Sequence, residues 1–142
     1  MNGHKTGVSD CVFLNLNRIH SESGNLTVIE QSKDIPFDIK RIYYINDVPD
    51  NGVRGSHAHK RLMQFVVATS GWFDMLIDDG VTKRTIRITS EGSGCGMLLV
   101  PGIWRELTNF SKNAVCLVLA SMVYEEKDYI RDYNEFLKYK IW

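Results

Sequence analysis

The stretch VRGSHAHKRLMQFVVATSG, Val53 to Gly71, decides how the rest of the chain is read. Two histidines, His57 and His59, stand two residues apart, an apolar run follows, and a Ser70-Gly71 turn ends it. Side chains alternate along a β-strand, so the pair points to one face. In a strand entering a barrel, that face is the interior. An HxH pair is either two hydrogen-bonded histidines at a barrel mouth or half of a metal site. The surrounding residues have to decide between the two.

Outward from this stretch, most of the chain reads as short strands between turns. WFDMLIDDG closes at Asp79-Gly80, a strong hairpin signal. KRTIRITS alternates, with Arg84, Ile86 and Ile88 on one face and Thr85 and Arg87 on the other. GMLLVPG and AVCLVLAS are apolar enough to be buried on both sides. Upstream, LTVIE follows Gly24-Asn25, and DIKRIYYIND precedes the loop VPDNG. Many short strands about ten residues apart predict an all-β sandwich or barrel. Only the end changes period. Tyr129, Tyr133, Phe136, Leu137 and Lys140 recur at helical intervals, which predicts a short terminal helix over DYIRDYNEFLKYK.

The 142 residues carry no repeat or linker, so one domain over 1–142 is expected, burying roughly two-thirds of its unfolded surface. Basic and acidic residues balance at 17 each, which argues against nucleic acid or an anionic membrane as the main partner. No apolar run approaches the roughly 18 residues of a membrane span, and the first residues are mixed and polar. A soluble, cytoplasmic protein is expected. Cys11, Cys95 and Cys116 are too scattered for a zinc pattern and are expected as buried, reduced thiols.

The spacing resembles the cupin barrel. Metal-binding cupins follow their HxH with a glutamate and a glycine, and a second motif supplies a proline, a histidine and an asparagine. Here His57, His59 and Gly71 keep that frame, as do Pro101 and Asn109, but Gln64 and Arg105 occupy the two remaining ligand positions. Glutamine brings no charge, and an arginine cannot coordinate and repels the ion. No metal and no cofactor is expected. Imidazoles beside an arginine stay neutral, the state a general base requires. In KRIYYIN, Arg41 and Tyr43 share one face, and they line the pocket if Ile42 lies in the hydrophobic layer with Tyr44 on its side. Arg54, at a loop–strand junction, suits bidentate phosphate binding. Arg131 by default is a solvated helix residue.

IPFDIKRIYYI, RGSHAHK, PGIWREL with NF after it, and VLAS followed by DYIRDYNEF together resemble the dTDP-sugar 3,4-ketoisomerases, the WxcM-like cupins. The resemblance runs from about Leu26 to Phe136. It implies a cupin-type barrel with a short C-terminal helix. It also implies a metal-free enzyme that moves the carbonyl of dTDP-4-keto-6-deoxyglucose from C4 to C3. The product would feed an aminotransferase, and the amino-deoxysugar would enter surface glycans such as lipopolysaccharide O-antigen or an S-layer glycan. It further implies a homodimer that exchanges an N-terminal segment of about residues 1–23, with the ligand inside one barrel. By matching positions, His57 is the principal base, His59 its partner or second shuttle, and Tyr43 orients or donates to the sugar oxygens. Arg105 and Arg131 stabilise negative charge or hold the diphosphate, with Arg41 and Arg54 as further substrate-binding groups. Ser23 stands where relatives carry a larger tyrosine or arginine and leaves space in the pocket. Arg105 in place of histidine leans toward a gluco product at C4. A non-catalytic nucleotide-sugar-binding cupin and a dTDP-4-keto-sugar epimerase remain as alternatives.

Overall fold

In the computed structural model the described residues are 1–92 and 94–141. The strands are β1 (Val12–Asn15), β2 (Asn17–Ser21), β3 (Gly24–Val28), β4 (Arg41–Ile45), β5 (Arg54–His59), β6 (Gln64–Ser70), β7 (Trp72–Asp78), β8 (Lys83–Thr89), β9 (Cys95–Leu99), β10 (Trp104–Thr108), β11 (Val115–Ala120) and β12 (Tyr129–Ile130), followed by helix α1 (Tyr133–Lys140). They form two five-stranded antiparallel sheets, in the orders β1-β9-β6-β11-β4 and β12-β5-β10-β7-β8. Strands β2 and β3 form a separate hairpin. This is the cupin-type barrel with its short terminal helix.

The strand β6 shows why this sequence makes two layers. Val66 and Ala68 point between the sheets, where they meet Phe73, Met75, Ile77, Met97 and Val118. Phe65 and Val67 point the other way and meet Leu16, Ile35, Phe37 and Leu119. The segment around Ile35 and Phe37 therefore covers the outside of the first sheet, so β6, β9 and β11 are apolar on both faces. Phe65 is fully buried in that outer layer. Its truncation to alanine is worth about 3–5 kcal/mol.

Two turns divide the work. Asp79-Gly80 makes the β7–β8 hairpin, pairing Asp78 with Lys83. Ser70-Gly71 is a corner between the sheets, with Gly71 carbonyl accepting from Ser90 amide and Trp72 carbonyl from Ser111 amide. Gly71 has φ +64°, and a Cβ there would meet Ser111 Oγ at 2.2 Å, so no other residue makes this corner without displacing the chain.

Three expectations need correction. The helix begins at Tyr133, capped by the Asp132 side chain accepting from the Glu135 amide. Tyr129 and Ile130 instead extend along β5, Tyr129 opposite His59. The helical spacing of Tyr129 was coincidental, because Ile130 is buried against Ala58, Trp104 and Phe136 under the helix. Arg131 is accordingly outside the helix. Second, Ile42 is not in a hydrophobic layer: it is 59% exposed and Tyr44 67%, on the outer face of the edge strand β4. Third, Cys95 is only partly buried, although Cys11 and Cys116 are buried and all three are free thiols.

The N-terminal segment packs on its own chain. Thr6 Oγ1 donates to Pro101 carbonyl, and Lys140 Nζ from α1 donates to the Gly3 and Thr6 carbonyls, both at 2.7 Å. The β2–β3 hairpin instead exposes Ile19 and Leu26.

Candidate active site

A cavity of about 470 Å³ opens between the sheets, lined by residues of β4, β5, β6, β7, β9, β10 and β11 and by Tyr129 and Arg131. Its chemistry begins with a fault in β5. Gly55 and Ser56 have φ of +87° and +57°, and the pairing with β10 slips between Arg105–His57 and Glu106–Gly55. Ser56 is the extra residue of a β-bulge. A Cβ on Gly55 would lie 3.0 Å from the Arg105 carbonyl oxygen, so glycine serves both the conformation and the close approach.

The bulge brings the Gly55 carbonyl to His57 Nδ1, 3.0 Å away. A carbonyl only accepts, so Nδ1 carries the proton and the lone pair sits on Nε2. His57 lines the cavity. Burial, with Arg105 and His59 nearby, pushes its imidazole down to about 3, so it is neutral at physiological pH with its Nε2 lone pair available.

His59 is different. It is fully buried and is not among the residues lining the cavity. Its Nδ1 lies 3.0 Å from Asp128 Oδ2, whose carboxylate also accepts from the Arg61 and Leu62 amides. Burial pushes His59 down to about 4 even though Asp128 pulls the other way. Burial alone would raise the Asp128 carboxyl, but the bonds from His59 and the amides hold it below the usual range. The contact is therefore a neutral imidazole donating to a carboxylate. His59 Nε2 is buried with no hydrogen-bond partner among the described residues. The two imidazoles meet edge-on, with centroids 4.8 Å apart, and Tyr129 packs on both.

The strand paired with β5 carries a buried cation, Arg105 of β10 lying beside His57 in the register. Arg105 is only 3% exposed. Its Nε donates to Ile103 carbonyl at 3.1 Å and Nη1 to Gln64 Oε1 at 2.6 Å, while Nη2 is buried without a partner. No carboxylate among the described residues forms an ion pair with it. Gln64 Nε2 donates in turn to Tyr43 Oη at 3.0 Å. A buried, unneutralised cation is costly and awaits an electron-rich group. The donor set does not fit a divalent metal: Gln64 spends its carbonyl oxygen on Arg105, and the guanidinium stands where a further ligand is needed.

The remaining arginines lie nearer the mouth. Arg41 reaches Tyr129 Oη at 3.4 Å, has a buried, unpartnered Nε, and stacks near the Tyr43 ring. Arg54 is exposed at the rim. Arg131 lies over the Tyr129 ring and is gripped by Glu126 through Nε and Nη2, at 2.6 and 2.9 Å.

The structure thus gathers Arg41, Tyr43, Arg54, His57, Arg105 and Arg131 around one cavity. His59 lies behind its surface. Ser23 sits exposed between β2 and β3, outside the cavity of its own chain, so it shapes no pocket there. Sequence reasoning missed Asp128, Tyr129 and the constructive part played by Gln64. A signal was present in Tyr129-Ile130, two residues of high strand propensity directly after Asp128.

Comparison with known proteins identifies relatives of this chain. The family model described as "FdtA: WxcM-like, C-terminal" matches residues 9–141. The TDP-4-oxo-6-deoxy-alpha-D-glucose-3,4-oxoisomerase of Aneurinibacillus thermoaerophilus is 42% identical over 126 residues, 89% of each chain. The crystal structure of QdtA, a sugar 3,4-ketoisomerase from Thermoanaerobacterium thermosaccharolyticum in complex with TDP, superposes with a TM-score of 0.89 at 35% identity, covering 93% of this chain and 95% of that one. The WlaRB TDP-quinovose 3,4-ketoisomerase from Campylobacter jejuni gives 0.85 at 42% identity, covering 91% and 98%. With the family match spanning nearly the whole barrel, this chain belongs to the FdtA family of WxcM-like proteins.

Proposed function

We propose that this chain is a TDP-sugar 3,4-ketoisomerase that converts TDP-4-oxo-6-deoxyglucose to its 3-oxo isomer. The observation that carries the mechanism is a neutral imidazole lone pair, His57 Nε2, sharing one cavity with Arg105, a buried cation that has no acid partner among the described residues. A hydrogen on C3 is acidic because the neighbouring C4 carbonyl accepts its electron pair. His57 removes it, and the pair moves to the C4 oxygen as an enediolate. Arg105 Nη2 and the Tyr43 hydroxyl meet that oxygen, each such donor being worth about 10²–10³ in rate. Imidazolium His57, after exchange with solvent, delivers a proton to C4, the C3 hydroxyl gives up its proton, and the C4 oxygen takes one. Atoms balance with no oxidant. His59 acts as the partner that packs against the base, since it does not reach the cavity surface.

Depth supports a division of roles among the arginines. Arg105 lies deep and serves the sugar, whereas Arg54 and Arg131 at the mouth, with Arg41 between, serve the diphosphate. The TDP group itself is taken from the relatives. Arg105 and the likeness to a TDP-quinovose enzyme support a gluco product, because quinovose is a gluco-configured 6-deoxyhexose. We further propose a homodimer, supported by exposed Ile19, Leu26, Ile42 and Tyr44, working in the cytoplasm. β1 pairs with β9 of its own chain, so the part of the N-terminal segment best placed to cross is the β2–β3 hairpin, with Ser23 at its tip. The 3-oxo product suits amination on the way to a surface glycan.

The test is an NMR spectrum of the product formed from TDP-4-oxo-6-deoxyglucose in deuterium oxide, with EDTA present. A carbonyl at C3 and deuterium at C4 are expected, and His57→Asn should abolish both turnover and exchange. Exchange that leaves the carbonyl at C4 would mean an epimerase, and binding without exchange a non-catalytic module.

A further inference from the structure

The place that a metal-binding cupin gives to a carboxylate is filled here by Gln64, 3% exposed and bonded at both ends. The two ends cannot be exchanged. Arg105 has only donors to offer, so the atom meeting Nη1 at 2.6 Å is the amide carbonyl Oε1. The other end is then an NH₂, which has no capacity to accept. At 3.0 Å it donates to Tyr43 Oη. Tyr43 therefore accepts from Gln64, and its own proton must point elsewhere. Its hydroxyl has no other hydrogen-bond partner among the described residues, and the ring lines the cavity.

We propose that Gln64 is a positioning residue: clamped by Arg105, it turns the Tyr43 hydroxyl into a fixed donor aimed at the sugar oxygen that becomes the enediolate. This rests on the ketoisomerase reading and deepens it. Burial raises the Tyr43 phenol above its ordinary value, despite the Arg105 cation, so the proton is present to be donated. A glutamate at this position is nearly the same size but reverses the direction. Its carboxylate would accept a hydrogen bond from the Tyr43 hydroxyl and neutralise Arg105 at the same time. The glutamine thus does more than remove a metal ligand. It sets which way the chain of hydrogen bonds points, from Arg105 through Gln64 and Tyr43 toward the ligand.

The experiment is a double-mutant cycle of Gln64→Glu and Tyr43→Phe, assayed with TDP-4-oxo-6-deoxyglucose in EDTA. It is accompanied by NMR of protein labelled at the tyrosine ring carbon that bears the hydroxyl. Gln64→Glu should lower kcat about a hundredfold with KM changed less than about threefold, the signature of a lost transition-state donor. In the Tyr43→Phe background it should cost much less, leaving only the share that comes from neutralising Arg105. The Tyr43 resonance, assigned by its disappearance in Tyr43→Phe, should move downfield in Gln64→Glu as the phenol becomes a donor to the carboxylate. Multiplicative losses, an unchanged kcat, or a resonance that stays in place would each overturn the proposal. Should Gln64→Glu fail to fold, Gln64→Met, which fills the space without an N–H, enters the same cycle with the same criterion. If unaltered protein does not isomerise the sugar, the ketoisomerase reading fails, and the NMR shift alone still decides the direction of the Gln64–Tyr43 bond.

Discussion

The floor of the cavity and its rim treat the same side chain in opposite ways. On the floor, Arg105 is buried and, among the described residues, meets only neutral oxygens and leaves one nitrogen without a partner. At the rim, Arg131 is about half exposed and held by both oxygens of Glu126. The rim pair is screened by water and changes partners at little cost. The floor cation has lost its water and received no carboxylate in exchange, so the fold bears a penalty there that only a ligand's electron density offsets. Charge that is expensive to bury is placed where negative charge develops, and charge that is cheap to rearrange is placed where a substrate enters.

The sharpest way to break this contrast is Arg105→Met. Loss of the donor should lower kcat by about a hundredfold or more. Removing an unneutralised buried cation should also raise the thermal unfolding midpoint. Assay and calorimetry on one sample decide it. A fall in both quantities would make Arg105 a structural residue and remove the contrast.

The histidine wall supplies a second, intermediate effect. Folding depresses His57 to about 3 and His59 to about 4, from an ordinary value near 6.5. The unfolded chain thus takes up protons that the folded chain refuses. Their neutral burial contributes stability in full above pH 6.5, and it is lost as pH falls from there toward 3. Stability should decline across that window, and His57→Asn should make the decline shallower. Activity should show no acid limb near 6.5, because the base is already unprotonated there. Urea titrations and rate profiles between pH 4 and 8 measure both, and an acid limb at 6.5 would mean that His57 is more solvated than its position in the cavity wall implies.

How much of this was legible follows from which forces act along the chain and which across it. The alternation of KRTIRITS and the doubly apolar GMLLVPG and AVCLVLAS are local patterns, and they carried through to β8, β9 and β11. HxH placed both imidazoles on one face, as strand geometry requires. It did not show that the Gly55–Ser56 bulge tethers one ring to a backbone carbonyl while a carboxylate 69 residues away holds the other. Arg41 and Tyr43 were placed in the pocket for the wrong reason. Their strand is at an edge, and the apolar residues beside them face outward. Tyr129 falls into the helical period because a period over five residues cannot register that Tyr129 and Ile130 are paired by β5. The directed bond from Gln64 to Tyr43 has no sequence signature at all, since it depends on which end of an amide meets a cation.

The smallest effect tests the rim. If Glu126 occupies the fork of Arg131 in the ligand-free protein, it competes with the diphosphate for the same donors. Glu126→Gln should then tighten TDP binding, and Arg131→Gln should weaken it, each by about two- to fivefold, with kcat nearly unchanged. Both changes should shrink as salt rises, because the charges concerned are exposed and screened over about 10 Å at 0.1 M. Calorimetric titration of TDP into the two variants at low and high salt separates the possibilities. If Glu126→Gln instead weakens binding, the carboxylate is what holds Arg131 in its binding pose, and the rim would be as preorganised as the floor. Equal and opposite shifts would mean that the rim trades one anion for another, leaving the cost of an unpaired cation to Arg105 alone.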